Sequence, residues 1–152
     1  MSEYTANLAN TVAFPELDDT DLAALRPLAT AIDYLDRVGM ENITRRETEL
    51  LHYATAALQD IPGLRIIGTA PEKAGVLSFV MEGIRTEEIG EYLNREGIAV
   101  RSGHHCAQPI LRRFGVESTV RASLALYNTC EEIDALVSAL QRLQMVRRHR
   151  GA

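Results

Sequence analysis

Apolar positions fall at helical spacing from Thr20 onward, through Leu22, Leu25, Leu28, Ile32 and Leu35, until Gly39 stops the run. Pro27 lies inside this stretch, so the helix either kinks there or begins there. Asn42 is placed to cap a second helix, in which Ile43, Leu50, Ala54 and Leu58 recur on one face before Pro62 and Gly63 end it. The period then shortens. "LRIIG" (64–68) and "GVLSFVM" (75–81) are brief, apolar and β-branched, and the turn-rich "TAPEKA" separates them. Residues 1–18 hold no sustained period and read as an arm.

The second half alternates between the two periods. "RTEEIGEYLNREG" is helical in pattern: Thr86 can cap it, Glu87 and Glu88 suit its positive end, and Gly97 suits the position just past its C-terminus. "IAVR" (98–101) reads as a strand, "QPILRRFG" as a short helix with Pro109 in its first turn, and "TVRASLAL" (119–126) as another strand. In "NTCEEIDALVSALQRLQMV" the residues Ile133, Leu136, Val137, Leu140 and Leu143 form one stripe, the strongest helical pattern in the chain. The order predicts an α+β domain: a small, mainly antiparallel or mixed sheet of three to four strands with helices packed on one face.

With 152 residues the chain suits one domain with a real core. No apolar run reaches membrane-spanning length, and "MSEYTANLAN" has neither the basic nor the apolar region of a signal peptide, so a cytoplasmic location is expected. Two cysteines, Cys106 and Cys130, make no disulfide framework and are expected as free thiols. The net charge of −5, and a basic tail with only Arg147, Arg148 and Arg150, argue against nucleic acid as a partner. One lysine, Lys73, stands among 16 basic residues.

The chemistry concentrates in "AVRSGHHCAQP", residues 99–109. A loop after a strand can hold a side chain steady yet exposed. A thiol is a nucleophile as its thiolate, which nearby cations favour, and Arg101, His104 and His105 can supply that field. A histidine within reach can also carry the proton. Cys106 can equally be a small buried residue. Zinc is a third reading, although His104 and Cys106 lack further ligands at recognisable spacing, so no metal is expected. Cys130 falls in the first turn of the last helix and reads as a filler residue.

"GIAVRSGHHCAQP", followed by "VRASLALYNTCEEIDALVSALQRL", resembles the C-terminal, small domain of SufS-type (group II) cysteine desulfurases. These belong to the class-V aminotransferase-like enzymes of fold type I, which use pyridoxal 5′-phosphate. The likeness extends back through "GVLSFVMEGIRTEEIGEYLNREG" and "AIDYLDRVGMENITRRETELLHYATAALQDIPGLRIIG". It assigns residues 25–152 to that domain and leaves residues 1–24 as an unmatched arm.

The resemblance implies that Cys106 takes sulfur from L-cysteine as a persulfide, alanine leaving, for iron–sulfur cluster assembly. It implies that Arg121 binds the substrate carboxylate, a task its planar fork suits. Arg101, His104 and His105 match supporting loop residues. A SufE- or SufU-like acceptor would take the sulfur onward. The same resemblance places pyridoxal phosphate on a lysine of a large domain that these residues do not match. Lys73, in the turn-like "PEKAG", is a poor Schiff-base candidate. No cofactor is therefore expected on this chain alone, and a separate cofactor-binding large domain is an expected partner. The alternative is a standalone sulfur-relay or partner-binding domain without pyridoxal chemistry.

Overall fold

The computed structural model describes residues 19–150. The described residues fall into two compact units, divided after Met40. The first holds helix α1 (Asp19–Val38), which runs through Pro27 instead of starting there. Gly39 closes it: its φ of +86° is readily available only to glycine, and its N–H donates to the Leu35 carbonyl at 2.8 Å. Helix α2 (Met40–Gln59) restarts at the next residue. Asn42 is therefore inside α2 and not its cap; its Oδ1 accepts from Arg45 Nη2 at 3.0 Å.

In the second unit α2 is followed by β1 (Leu64–Ile67), β2 (Val76–Met81), α3 (Thr86–Arg95), β3 (Arg101–Gly103), α4 (Gln108–Arg113), β4 (Thr119–Ser123) and α5 (Cys130–Arg150). The four strands form one sheet in the order β1-β2-β4-β3, with every pair antiparallel. Alternation decides which side chains go inward. Leu77, Phe79 and Met81 of β2 and Val120 and Ala122 of β4 are buried. Against them pack Leu50, Leu51, Ala54 and Leu58 of α2, Ile89 and Leu93 of α3, and Ile133, Leu136, Ala139, Leu140 and Leu143 of α5. Burying each of the larger of these side chains contributes about 1.5–3 kcal/mol, the main force holding helices to sheet.

Two helix ends show how local chemistry fixes the path. At the end of α3, Gly97 (φ +77°) donates to the Asn94 carbonyl and Ile98 to the Leu93 carbonyl, the paired bonds of a Schellman motif. At the start of α5, Glu132 N–H donates to Thr129 Oγ1 at 3.3 Å and Thr129 N–H to Glu132 Oε2 at 3.0 Å, a reciprocal capping box.

Three expectations shift. Thr86 is not the cap of α3; Arg85 holds that place, and Thr86 is buried with its Oγ1 2.6 Å from Ser118 Oγ. The strand expected at 98–101 is instead Arg101–Gly103. Ile98 is drawn into the helix cap, and residues 98–100 and 122–124 instead help line a cleft of about 450 Å³. β4 ends at Ser123, short of the expected Leu126. On the β2 side one further bond follows, Leu124 N–H donating to the Gly75 carbonyl at 2.6 Å.

Candidate functional site

On β4 the core-facing residues are Val120 and Ala122, so Thr119, Arg121 and Ser123 project from the opposite sheet face. Antiparallel register carries that face across the sheet. Arg121 lies between Ser78 of β2 and Arg101 of β3, each its direct partner. Arg121 is half-buried and Arg101 exposed. Neither guanidinium has a carboxylate partner among the described residues. Two like charges directly opposite each other are unfavourable unless an anion joins them.

Beyond Gly103 the chain turns sharply. Ala107 N–H donates to the His104 carbonyl at 2.8 Å, and the two central residues both have positive φ: His105 at +53° and Cys106 at +56°. Positive φ at both centres is the mark of a type I′ turn, which favours Asn-Gly. Holding side-chain-bearing residues there costs on the order of 1–2 kcal/mol each. Two contacts offset that cost. Cys106 N–H donates to His104 Nδ1 at 3.1 Å. His105 Nε2 lies 3.1 Å from both the carbonyl and Oγ1 of Thr119. A carbonyl oxygen only accepts, so Nε2 carries the proton.

His105 Nδ1 is then a bare acceptor, buried and without a partner among the described residues. Burial holds the His105 pKa below the ordinary histidine value, and the charges of Arg121, Arg101 and His104 act the same way; the Thr119 carbonyl opposes them. The neutral imidazole is favoured.

Cys106 is exposed, so the reading of it as a small buried residue is overturned. Cys130 is half-buried at the start of α5. Both are free thiols. No group of three potential metal ligands forms among the described residues. The loop is only partly open: Ser102, His104, Cys106 and Gln108 are exposed, whereas Gly103, His105 and Ala107 are half-buried. Nothing in the local sequence marks Thr119 as part of the site. Its burial breaks the alternation of β4, because His105 covers a position on the outer face.

Lys73 lies elsewhere. The Cys106 loop leaves the sheet where Gly103 pairs with Thr119, the beginning of β4. Lys73 belongs to the β1–β2 connection, which enters the sheet where Val76 pairs with Ser123, the end of β4. Its Nζ donates to the Gly68 carbonyl of its own connection at 3.3 Å. The residues described here do not by themselves fit a pyridoxal phosphate site, since the sole lysine in the sequence stands at the far end of the sheet from the thiol.

The aminotransferase class-V family model matches residues 20–136. A cysteine desulfurase of Synechococcus elongatus is 62% identical over 117 residues, which cover 77% of this chain and 19% of that protein. A probable cysteine desulfurase of Xylella fastidiosa is 47% identical over 129 residues, 85% of this chain and 31% of the relative. Among solved structures, the cysteine desulfurase CsdA of Escherichia coli superposes with a TM-score of 0.77 at 31% identity, covering 90% of this chain and 32% of that one. The apo cysteine desulfurase of Thermococcus onnurineus gives 0.73 at 35% identity, covering 76% of this chain and 29% of that one. The chain thus spans between a fifth and a third of the length of these relatives.

Proposed function

The chain belongs to the aminotransferase class-V family, and on that footing we propose that residues 25–152 are the small, C-terminal domain of a SufS-type cysteine desulfurase. Cys106 is the thiol that takes sulfur from L-cysteine as a persulfide while alanine leaves. Arg121 holds the substrate carboxylate, with Arg101 beside it. The observation that carries this reading is the exposed Cys106 on the turn that follows β3, the strand that pairs Arg101 with Arg121, which has no carboxylate partner among the described residues. A bidentate carboxylate ligand would relieve that repulsion, and a guanidinium is shaped to receive one.

The family's cofactor, pyridoxal 5′-phosphate, supplies the electron sink that labilises the substrate's carbon–sulfur bond. This chain supplies the acceptor thiol and the carboxylate clamp. A separate large domain carries the cofactor lysine, and a SufE- or SufU-like protein receives the sulfur for iron–sulfur assembly in the cytoplasm. No helix among the described residues is long and apolar enough to cross a membrane. The position of Lys73 favours a second reading for the chain acting by itself: a sulfur-relay or partner-binding domain without pyridoxal chemistry.

The test is direct. The chain is incubated with a low-molecular-weight persulfide, alkylated and mapped by mass spectrometry. A one-sulfur mass increment on Cys106 and not on Cys130 is expected, and it disappears in Cys106→Ser. Equal loading of both thiols, or none on Cys106, rejects the assignment.

A further inference from the structure

Among the described residues, only His105 and Cys106 of the His104–Ala107 turn combine a side chain with positive φ, and they are consecutive. Asn-Gly would adopt this turn unaided; His-Cys does not. His105 is tied to another strand. Its Nε2–H reaches the carbonyl of Thr119, the residue paired with Gly103 and two positions before Arg121. That bond fixes the turn relative to the strand that carries Arg121.

We propose that His105 is a positioning residue for Cys106: by donating Nε2–H to the Thr119 carbonyl it holds the left-handed His105–Cys106 turn and keeps the thiol in register with the Arg101–Arg121 pair. This deepens the reading of Cys106 as sulfur acceptor and Arg121 as carboxylate holder, and rests on it. An unanchored turn relaxes to negative φ, which swings the Cys106 side chain to a different side of the backbone. The thiol stays exposed but loses its fixed relation to the guanidinium groups. Thr119 Oγ1, also 3.1 Å from Nε2, shares the same proton without being needed for the tie, because the carbonyl belongs to the main chain.

The consequence is measurable as a ratio in which the thiol's own reactivity cancels. Cys106 is alkylated in the 152-residue chain with iodoacetate and with iodoacetamide, reagents of similar size of which only the first bears a carboxylate. The ratio of the two rates reports how well the arginine pair is aligned with the thiol. Glutamine places its amide nitrogen where the histidine Nε2 sits, whereas asparagine, one methylene shorter, does not reach. His105→Gln is expected to keep the ratio of the parent chain within about twofold. His105→Asn and His105→Ala are expected to lower it by roughly threefold to tenfold, the factor corresponding to one net hydrogen bond. If His105→Ala does not fold, the Gln and Asn variants decide, since both carry an amide. Equal ratios in those two overturn the proposal. Arg121→Gln separates the underlying reading. If it leaves the parent ratio unchanged, the carboxylate role of Arg121 fails. If it lowers the ratio while His105→Asn does not, only the positioning role fails.

Discussion

Arg101 and Arg121 are direct partners across β3 and β4, two guanidinium groups on the sheet face turned away from the core. Structure alone gives no reason to keep both. Like charges opposite each other on a sheet are destabilising, by up to about 1 kcal/mol. Arg101→Gln is therefore expected to stabilise the isolated chain by about 0.5 kcal/mol, read as a raised urea midpoint with unchanged slope. The gain should shrink as salt screens the pair. A loss of stability on this substitution contradicts the repulsion.

A second prediction concerns the ring proton of His105. Burial, reinforced by Arg121, Arg101 and His104, holds its pKa below the ordinary value near 6.5. The unfolded chain thus binds more protons than the folded one just below that pH. The resulting stabilisation is complete above about pH 6.5 and is lost as pH falls through the lower, folded value. Nitrogen NMR of the imidazole should show the Nε2–H tautomer at neutral pH and a midpoint below that of an unfolded peptide. An Nδ1–H tautomer, or a raised midpoint, would remove the basis for the Thr119 bond.

The start of α5 gives a third. Glu132 accepts from the Asn128 side chain and the Thr129 N–H, and both bonds hold its carboxyl below the usual range. Their contribution is present above roughly pH 4.3, the unfolded carboxyl value, and fades as pH falls through the lower folded one. Thr129→Ala should cost about 1 kcal/mol, measured by chemical denaturation. The Glu132 midpoint should stay low, because its carboxylate accepts from the Asn128 side chain and the Thr129 main chain, neither of which the substitution removes. A variant as stable as the parent argues that other contacts set the helix start.

A fourth tests self-sufficiency. Given pyridoxal 5′-phosphate and L-cysteine, the chain by itself should release no alanine, and Lys73→Ala should change nothing. Turnover that vanishes with Lys73 would overturn the view that the cofactor lysine comes from a separate domain.

Much of the fold was legible because its periodicities are long. The α5 stripe of Ile133, Leu136, Leu140 and Leu143 and the alternation of Leu77, Phe79 and Met81 are one-face patterns that the core enforces. What escaped depends on partners. Ile98 and Val100 alternate like a strand, yet a strand needs a neighbour, and Ile98 is tied into the end of α3 while pairing with β4 begins only at Arg101. Thr86 looks like a cap, yet burial and a hydroxyl contact with Ser118 claim it. The Cys106 loop was visible as chemistry. Its left-handed turn was not, because His-Cys carries none of the usual turn residues and is held by Thr119, 14 positions away.

The sheet order has a last consequence, for what happens when these molecules crowd together. β3 lies at one edge, and exposed edges invite further strands from other chains. This edge is only three residues long, begins with an exposed arginine and ends at Gly103, whose φ of +125° departs from strand geometry. Such an edge is a poor template for intermolecular pairing. The same short strand that delivers Cys106 to solvent therefore guards the domain against β-type aggregation there. Lengthening it, by substitutions that let residues 98–100 pair with 122–124, would trade that protection for a longer strand.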